Sequence, residues 1–115
     1  LVYEKIKSDI VSGELTEIST RATVQTIDYD KKKYVNTGCA NITLTTEKFI
    51  IDGAIGCKHR HLEIPISQFA SLPFKPGCRI EVQQGKTTYR CILDDPRLAT
   101  KFVHMVRACY ELSNT

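Results

Sequence analysis

From Glu17 onward, apolar and polar residues alternate with a period of two. Ile18, Thr20, Ala22, Val24 and Thr26 fall on one side, with Ser19, Arg21, Thr23 and Gln25 on the other. β-branched residues dominate, and strict alternation of this kind predicts a half-buried strand. The pattern resumes from Tyr34 to Leu44, where Ala40, Ile42 and Leu44 share a face and Gly38 is a candidate bulge. Further strands are expected over Phe49–Ile51, roughly Lys58–Ile66 (Leu62, Ile64 and Ile66 inward), Cys78–Val82, and Thr87–Leu93 (Tyr89, Cys91 and Leu93 on one face). Polar segments separate them: Asp28 to Lys32, Thr45 to Lys48, Asp52-Gly53 as a tight turn, and Gln84-Gly85-Lys86. Ser67 to Gly77, with Phe69, Leu72, Pro73, Phe74 and Pro76, reads as a loop.

The two ends follow a different period. Val2, Ile6 and Ile10 recur every fourth residue before Gly13, which predicts a short helix and its stop. Near the other end, Asp95 is placed to cap a helix and Pro96 suits its first position. Leu98, Phe102, Met105, Cys109 and Leu112 then form an apolar stripe widened by Val106, in a helix of about 16 residues.

The expected fold class is therefore mainly β with α. Six to seven antiparallel strands form a barrel or orthogonal sandwich, a C-terminal helix plugs one open end, and a further helix precedes the sheet. Closing the sheet removes its exposed edges, and the last helix carries an apolar stripe of the right size for the plug. Residues 1–15 read as an N-terminal helix or the end of a preceding segment, and residues 16–115 as one domain. The chain begins at Leu1 rather than Met, as expected of a domain cut from a larger protein.

Composition narrows the function classes. A chain of 115 residues with 42% hydrophobic and 25% charged residues can form a core without staples. No apolar run is long enough to span a bilayer. The five cysteines lack close pairing, so they read as reduced, mostly core thiols, and a cytoplasmic location follows. The net charge is only +3, too little for a nucleic-acid-binding composition. It is unevenly spread: residues 31–93 carry ten positive and four negative charges, so the sheet is the basic part.

Three stretches resemble the pleckstrin-homology-like (PH-like) superfold, and within it the GRAM-like or bacterial PH-type domains. Gly38 through Ile51 runs a strand into Leu44-Thr45-Thr46 and then Phe49-Ile50-Ile51. Leu62 to Leu72 is similar to an isoleucine-proline strand end with a short turn. The strand containing Tyr89 precedes a long amphipathic helix. The resemblance implies a binding module without a cofactor, partnered by protein, by other domains of its parent chain, or by an anionic phospholipid surface that would hold it at the membrane. It also implies that Lys31, Lys32 and Lys33 occupy the hairpin where lipid-binding PH domains contact inositol phosphates, with Lys58 and Arg60 extending the patch. Each basic residue near an anionic leaflet contributes about 1 kcal/mol. Against that, Asp28 and Asp30 offset the lysines, and the following Tyr34-Val35-Asn36-Thr37 contains no basic residue.

Only one constellation suggests chemistry. Cys57, His59 and His61 alternate along one strand, so their side chains point the same way, and all three residue types ligate zinc. However, neighbouring ligands on one strand face lie about 7 Å apart, and Lys58 and Arg60 would repel a cation. The expectation is the exposed face of a basic edge strand with no metal, and a small metal-dependent enzyme using Cys57, His59 and His61 is the remote alternative. Without a nucleophile elbow or a phosphate-binding glycine loop, no enzymatic activity is expected.

Overall fold

The computed structural model describes residues 2–28, 33–68, 74–75 and 79–113. Helix α1 (Val2–Ser12) leads into strands β1 (Glu17–Asp28), β2 (Lys33–Thr45), β3 (Lys48–Ile55) and β4 (Lys58–Pro65). A single 3-10 turn (Ile66–Gln68) follows, then β5 (Phe74–Lys75), β6 (Arg79–Gln84), β7 (Thr87–Leu93) and helix α2 (Pro96–Ser113). The strands form one antiparallel sheet in the order β4-β3-β2-β1-β7-β6-β5. Because β5 has only two residues, six longer strands make up a curled half-barrel.

The alternation read from the sequence sets the inner face. Ala22, Val24 and Thr26 on β1 are buried, as are Ala40, Ile42 and Leu44 on β2, Ile80 and Val82 on β6, and Tyr89, Cys91 and Leu93 on β7. Helix α2 closes the end of the half-barrel near Leu44 and Ile66. Its cap is the expected one: the Arg97 backbone N–H donates to Asp95 Oδ1 at 2.9 Å, which holds the Asp95 carboxyl below the usual carboxylate range. Ala99, Phe102, Met105, Val106, Ala108 and Cys109 are its buried residues. Phe102 meets Phe49 edge-on, with ring centroids 6.1 Å apart at 85°.

Several expectations need correction. The Asp52-Gly53 pair does not turn; β3 runs through it, and the turn falls at Gly56-Cys57, with Gly56 at φ 68°. Phe49, Ile51 and Ile55 keep one parity and are all buried, so the inner face holds the strand on course. Gly53 serves a close approach instead: a Cβ there would lie 2.5 Å from the Ala40 Cα. Gly38 is not a bulge either. The register slips between Thr26 and Ile27, whose partners are Asn36 and Tyr34, so Val35 is the extra residue. The expected loop from Ser67 to Gly77 contains the short strand β5. Helix α2 has 18 residues, and Leu98 lies outside the buried stripe at 36% exposure because Ala99 faces the sheet. Of the cysteines, Cys91 and Cys109 are buried but Cys39 and Cys57 are exposed, and Cys78 lies outside the described residues.

Helix α1 rests mainly on α2. Only Ile6 is buried, and polar contacts do the rest. The Tyr3 hydroxyl donates to Glu111, Arg107 sits 4.6 Å over the Tyr3 ring, and Lys7 Nζ lies 3.5 Å from Glu111. Burial and the Glu111 contact push the Tyr3 hydroxyl up to about 12.

Among the described residues, one side-chain polar group is buried without a partner. Thr26 is 2% exposed, and its Oγ1 has no hydrogen bond. Thr26→Val keeps the shape and removes the unmet hydroxyl, so it is expected to stabilise the fold by about 1 kcal/mol in urea unfolding. A loss of stability would mean that the hydroxyl is satisfied in solution.

Candidate functional site

The residues singled out for chemistry meet on the outer face of the β3–β4 hairpin. The Gly56-Cys57 turn sets the register, so Asp52 pairs with His61, Ala54 with His59, and Ile50 with Glu63. Alternate residues of a strand share a face, which gathers Asp52, His59, His61 and Glu63 on one side. His59 Nε2 lies 2.8 Å from Asp52 Oδ1, and His61 Nδ1 lies 3.3 Å from Asp52 Oδ2. The other ring nitrogen of His61, Nε2, is 2.8 Å from Glu63 Oε2, and Lys48 Nζ is 2.5 Å from Glu63 Oε1. The result is a solvent-exposed ladder of alternating basic and acidic side chains: His59, Asp52, His61, Glu63, Lys48.

Both nitrogens of His61 face carboxylates. Glu63 first, then Asp52, raise its pKa above the ordinary imidazole range. Lys48 and His61 in turn lower the Glu63 carboxyl, and Glu63 raises Lys48. The signs give a window. The His61 contribution is fully present below the ordinary histidine range and is lost as pH rises through the raised value. The Glu63 contribution is present above the ordinary carboxylate range and is lost as pH falls through the lowered value. The ladder is therefore strongest at about pH 5–6. The difference in thermal stability between the native chain and His61→Gln should peak there and shrink as pH rises through the raised His61 value. A pH-independent difference would mean the imidazole is not charged in the ladder.

The same geometry settles the placement of the other candidates. Cys57 sits in the exposed turn, apart from the two imidazoles, which Asp52 engages. No three His, Cys, Asp or Glu side chains among the described residues are arranged to hold a metal ion. Lys58 and Arg60 lie on the opposite face of β4, in line with Leu62 and the buried Ile64. Arg60 stands beside Gly53 and Lys58 beside Ile55. Lys31 and Lys32 lie outside the described residues, and Lys33 is described only as the first backbone position of β2. The basic surface is also thinner than its charge count suggests, because Lys48 is paired with Glu63 and Arg90 Nε lies 3.1 Å from Glu81.

Sequence reasoning missed Asp52, Glu63 and Lys48 as partners of the histidines. The missing signal was the turn position. With the turn at Gly56-Cys57, residues 52 and 61 face each other.

A meandering antiparallel sheet in which β1 pairs with both β2 and β7, closed at one end by a C-terminal helix, is the PH-like superfold. The chain is similar to the Ran-binding domain of the nuclear complex component Nup2 from Ashbya gossypii. The TM-score is 0.55 at 16% identity, over 85% of this chain and 98% of that one. No family model and no curated protein matches the sequence. Among the described residues, no helix is long and apolar enough to cross a membrane.

Proposed function

We propose that this chain is a non-catalytic protein-interaction module. The observation that carries this reading is a PH-like half-barrel whose outer strand β4 pairs on one side only among the described residues, leaving backbone groups available to a partner. The similar Ran-binding domain is itself a protein-binding unit by name, which supports the class but not the same partner. The GRAM-like branch is the finer reading that Gly38–Ile51 and Leu62–Leu72 support. Two facts weigh against a phosphoinositide surface as the main ligand: the basic side chains of the sheet are split between its two faces, and Lys48 and Arg90 are already paired with carboxylates. The histidine ladder supports no hydrolytic role, because both imidazoles contact carboxylates on an open face.

The test is a selection of displayed linear peptides on the folded 115-residue chain. Enrichment of a shared short motif that competes for one site is the expected result. Repeated selection without enrichment would overturn peptide recognition as the function.

A further inference from the structure

Strand β4 carries the sheet's longest edge without a partner among the described residues. It spans Lys58–Pro65, eight residues, and pairs only with β3. Every second residue of such a strand turns its N–H and C=O away from its neighbour, leaving about four sets of backbone groups for an added strand. Edge strands normally carry charge to repel one another. Here the two faces of the edge have different charge character. On the outer face, His59, His61 and Glu63 are tied into the ladder. On the inner face, Lys58 and Arg60 have no carboxylate partner among the described residues, because Asp52 and Glu63 belong to the other face. Next along that inner face is Leu62, half-buried against the core. The free edge therefore presents positive, positive, apolar at alternate positions.

We infer that β4 captures an extended acidic segment of a partner protein, which adds to the sheet as an eighth strand. This rests on the reading of the chain as a protein-interaction module and specifies its site and ligand chemistry. The captured strand needs carboxylates at two alternate positions, opposite Lys58 and Arg60, and an apolar side chain at the next, opposite Leu62. Main-chain hydrogen bonds supply affinity, and these three positions supply selectivity. A second copy of this chain is the wrong occupant. The face of β4 that carries Lys58 and Arg60 continues with Leu62 and Ile64 and holds no carboxylate, so a second β4 could not supply the two acidic positions.

The test uses synthetic peptides of about ten residues, enough to span the strand. One alternates Glu with Thr and ends in Val; the other has Lys in place of each Glu. Each is titrated into the isotope-labelled chain while backbone amide shifts and amide exchange are followed. The Glu peptide should perturb β4 from His59 to Ile64 and slow exchange there. It should weaken with added salt and bind at least about tenfold more tightly than the Lys peptide. The double variant Lys58→Glu with Arg60→Glu should lose about tenfold for the Glu peptide and gain for the Lys peptide. Lys58→Ser with Arg60→Ser provides a milder check in which no new charge is introduced. Equal affinity for both peptides, or shifts centred on β6 or α2, would overturn the inference. If peptides enriched from a displayed library bind elsewhere, the interaction-module reading stands and only the β4 site fails. If no peptide is enriched at all, peptide recognition as the function fails with it.

Discussion

Phe102→Ala is expected to cost about 3–5 kcal/mol, enough to unfold a marginal domain. Phe102 is one of the largest fully buried side chains and projects from α2 into the end of the half-barrel. Its edge-on contact with Phe49 joins the helix to β3, while Met105, Val106 and Cys109 continue the seal. Truncation empties that volume, and the surrounding strands cannot follow, because the sheet ladder fixes them. The loss should appear as a lower midpoint in urea unfolding monitored by circular dichroism. Phe102→Leu should recover much of it, since most of the volume returns. Were Phe102→Ala to unfold at the native midpoint, α2 would not be the plug of the barrel.

Gly38→Ala is expected to cost about 3 kcal/mol for the opposite reason, an excess of atoms. A Cβ at Gly38 would lie 2.0 Å from the Ala54 carbonyl oxygen and 2.8 Å from the Ile55 Cα. Both are backbone atoms of β3, so no side chain can swing aside. Either the β2–β3 pairing opens or the curl relaxes, and the inner face loses its fit. Gly13→Ala is the control. Gly13 has φ 84° but nothing within 4 Å of its missing Cβ, so only the backbone conformation opposes the change, at about 1–2 kcal/mol. The two substitutions add the same methyl group. If Gly38→Ala proved the milder, the tight β2–β3 approach would not exist in solution.

Much of this fold is legible in the sequence because one face of each strand is buried. A period of two with β-branched residues survives any detail of register, and it marks β1, β2, β6 and β7. Helix α2 is legible for the same reason at a period near four, with Asp95 and Pro96 fixing its start. What escapes notice depends on tertiary contact. Asp52-Gly53 has the local chemistry of a turn, yet Ile51 and Ile55 both need the inner face, and burial outweighs local preference. Gly38 and Gly53 look like a bulge and a turn because a sequence cannot show how closely two backbones approach. Strand β5 is too short for a periodic signal.

The site was half legible. The alternation of Cys57, His59 and His61 correctly put the two histidines on one face, but their partner Asp52 comes from the neighbouring strand through a register the misplaced turn concealed. Once Asp52 and Glu63 are in place, the histidines read as members of a charge ladder. Lys58 and Arg60 were expected to extend a lipid-facing patch. They stand on the face away from the ladder, on a strand that pairs on one side only among the described residues, where the proposed acidic strand would use them.

The most direct test of the protein-interaction reading is sedimentation of the 115-residue chain with anionic and neutral vesicles at low and physiological salt. At physiological salt the chain is expected to stay in the supernatant with both, and replacing Lys31, Lys32 and Lys33 by neutral residues is expected to change nothing. Pelleting with anionic vesicles alone at that salt, abolished by neutralising those three lysines, would contradict it and make the chain a membrane-targeting module.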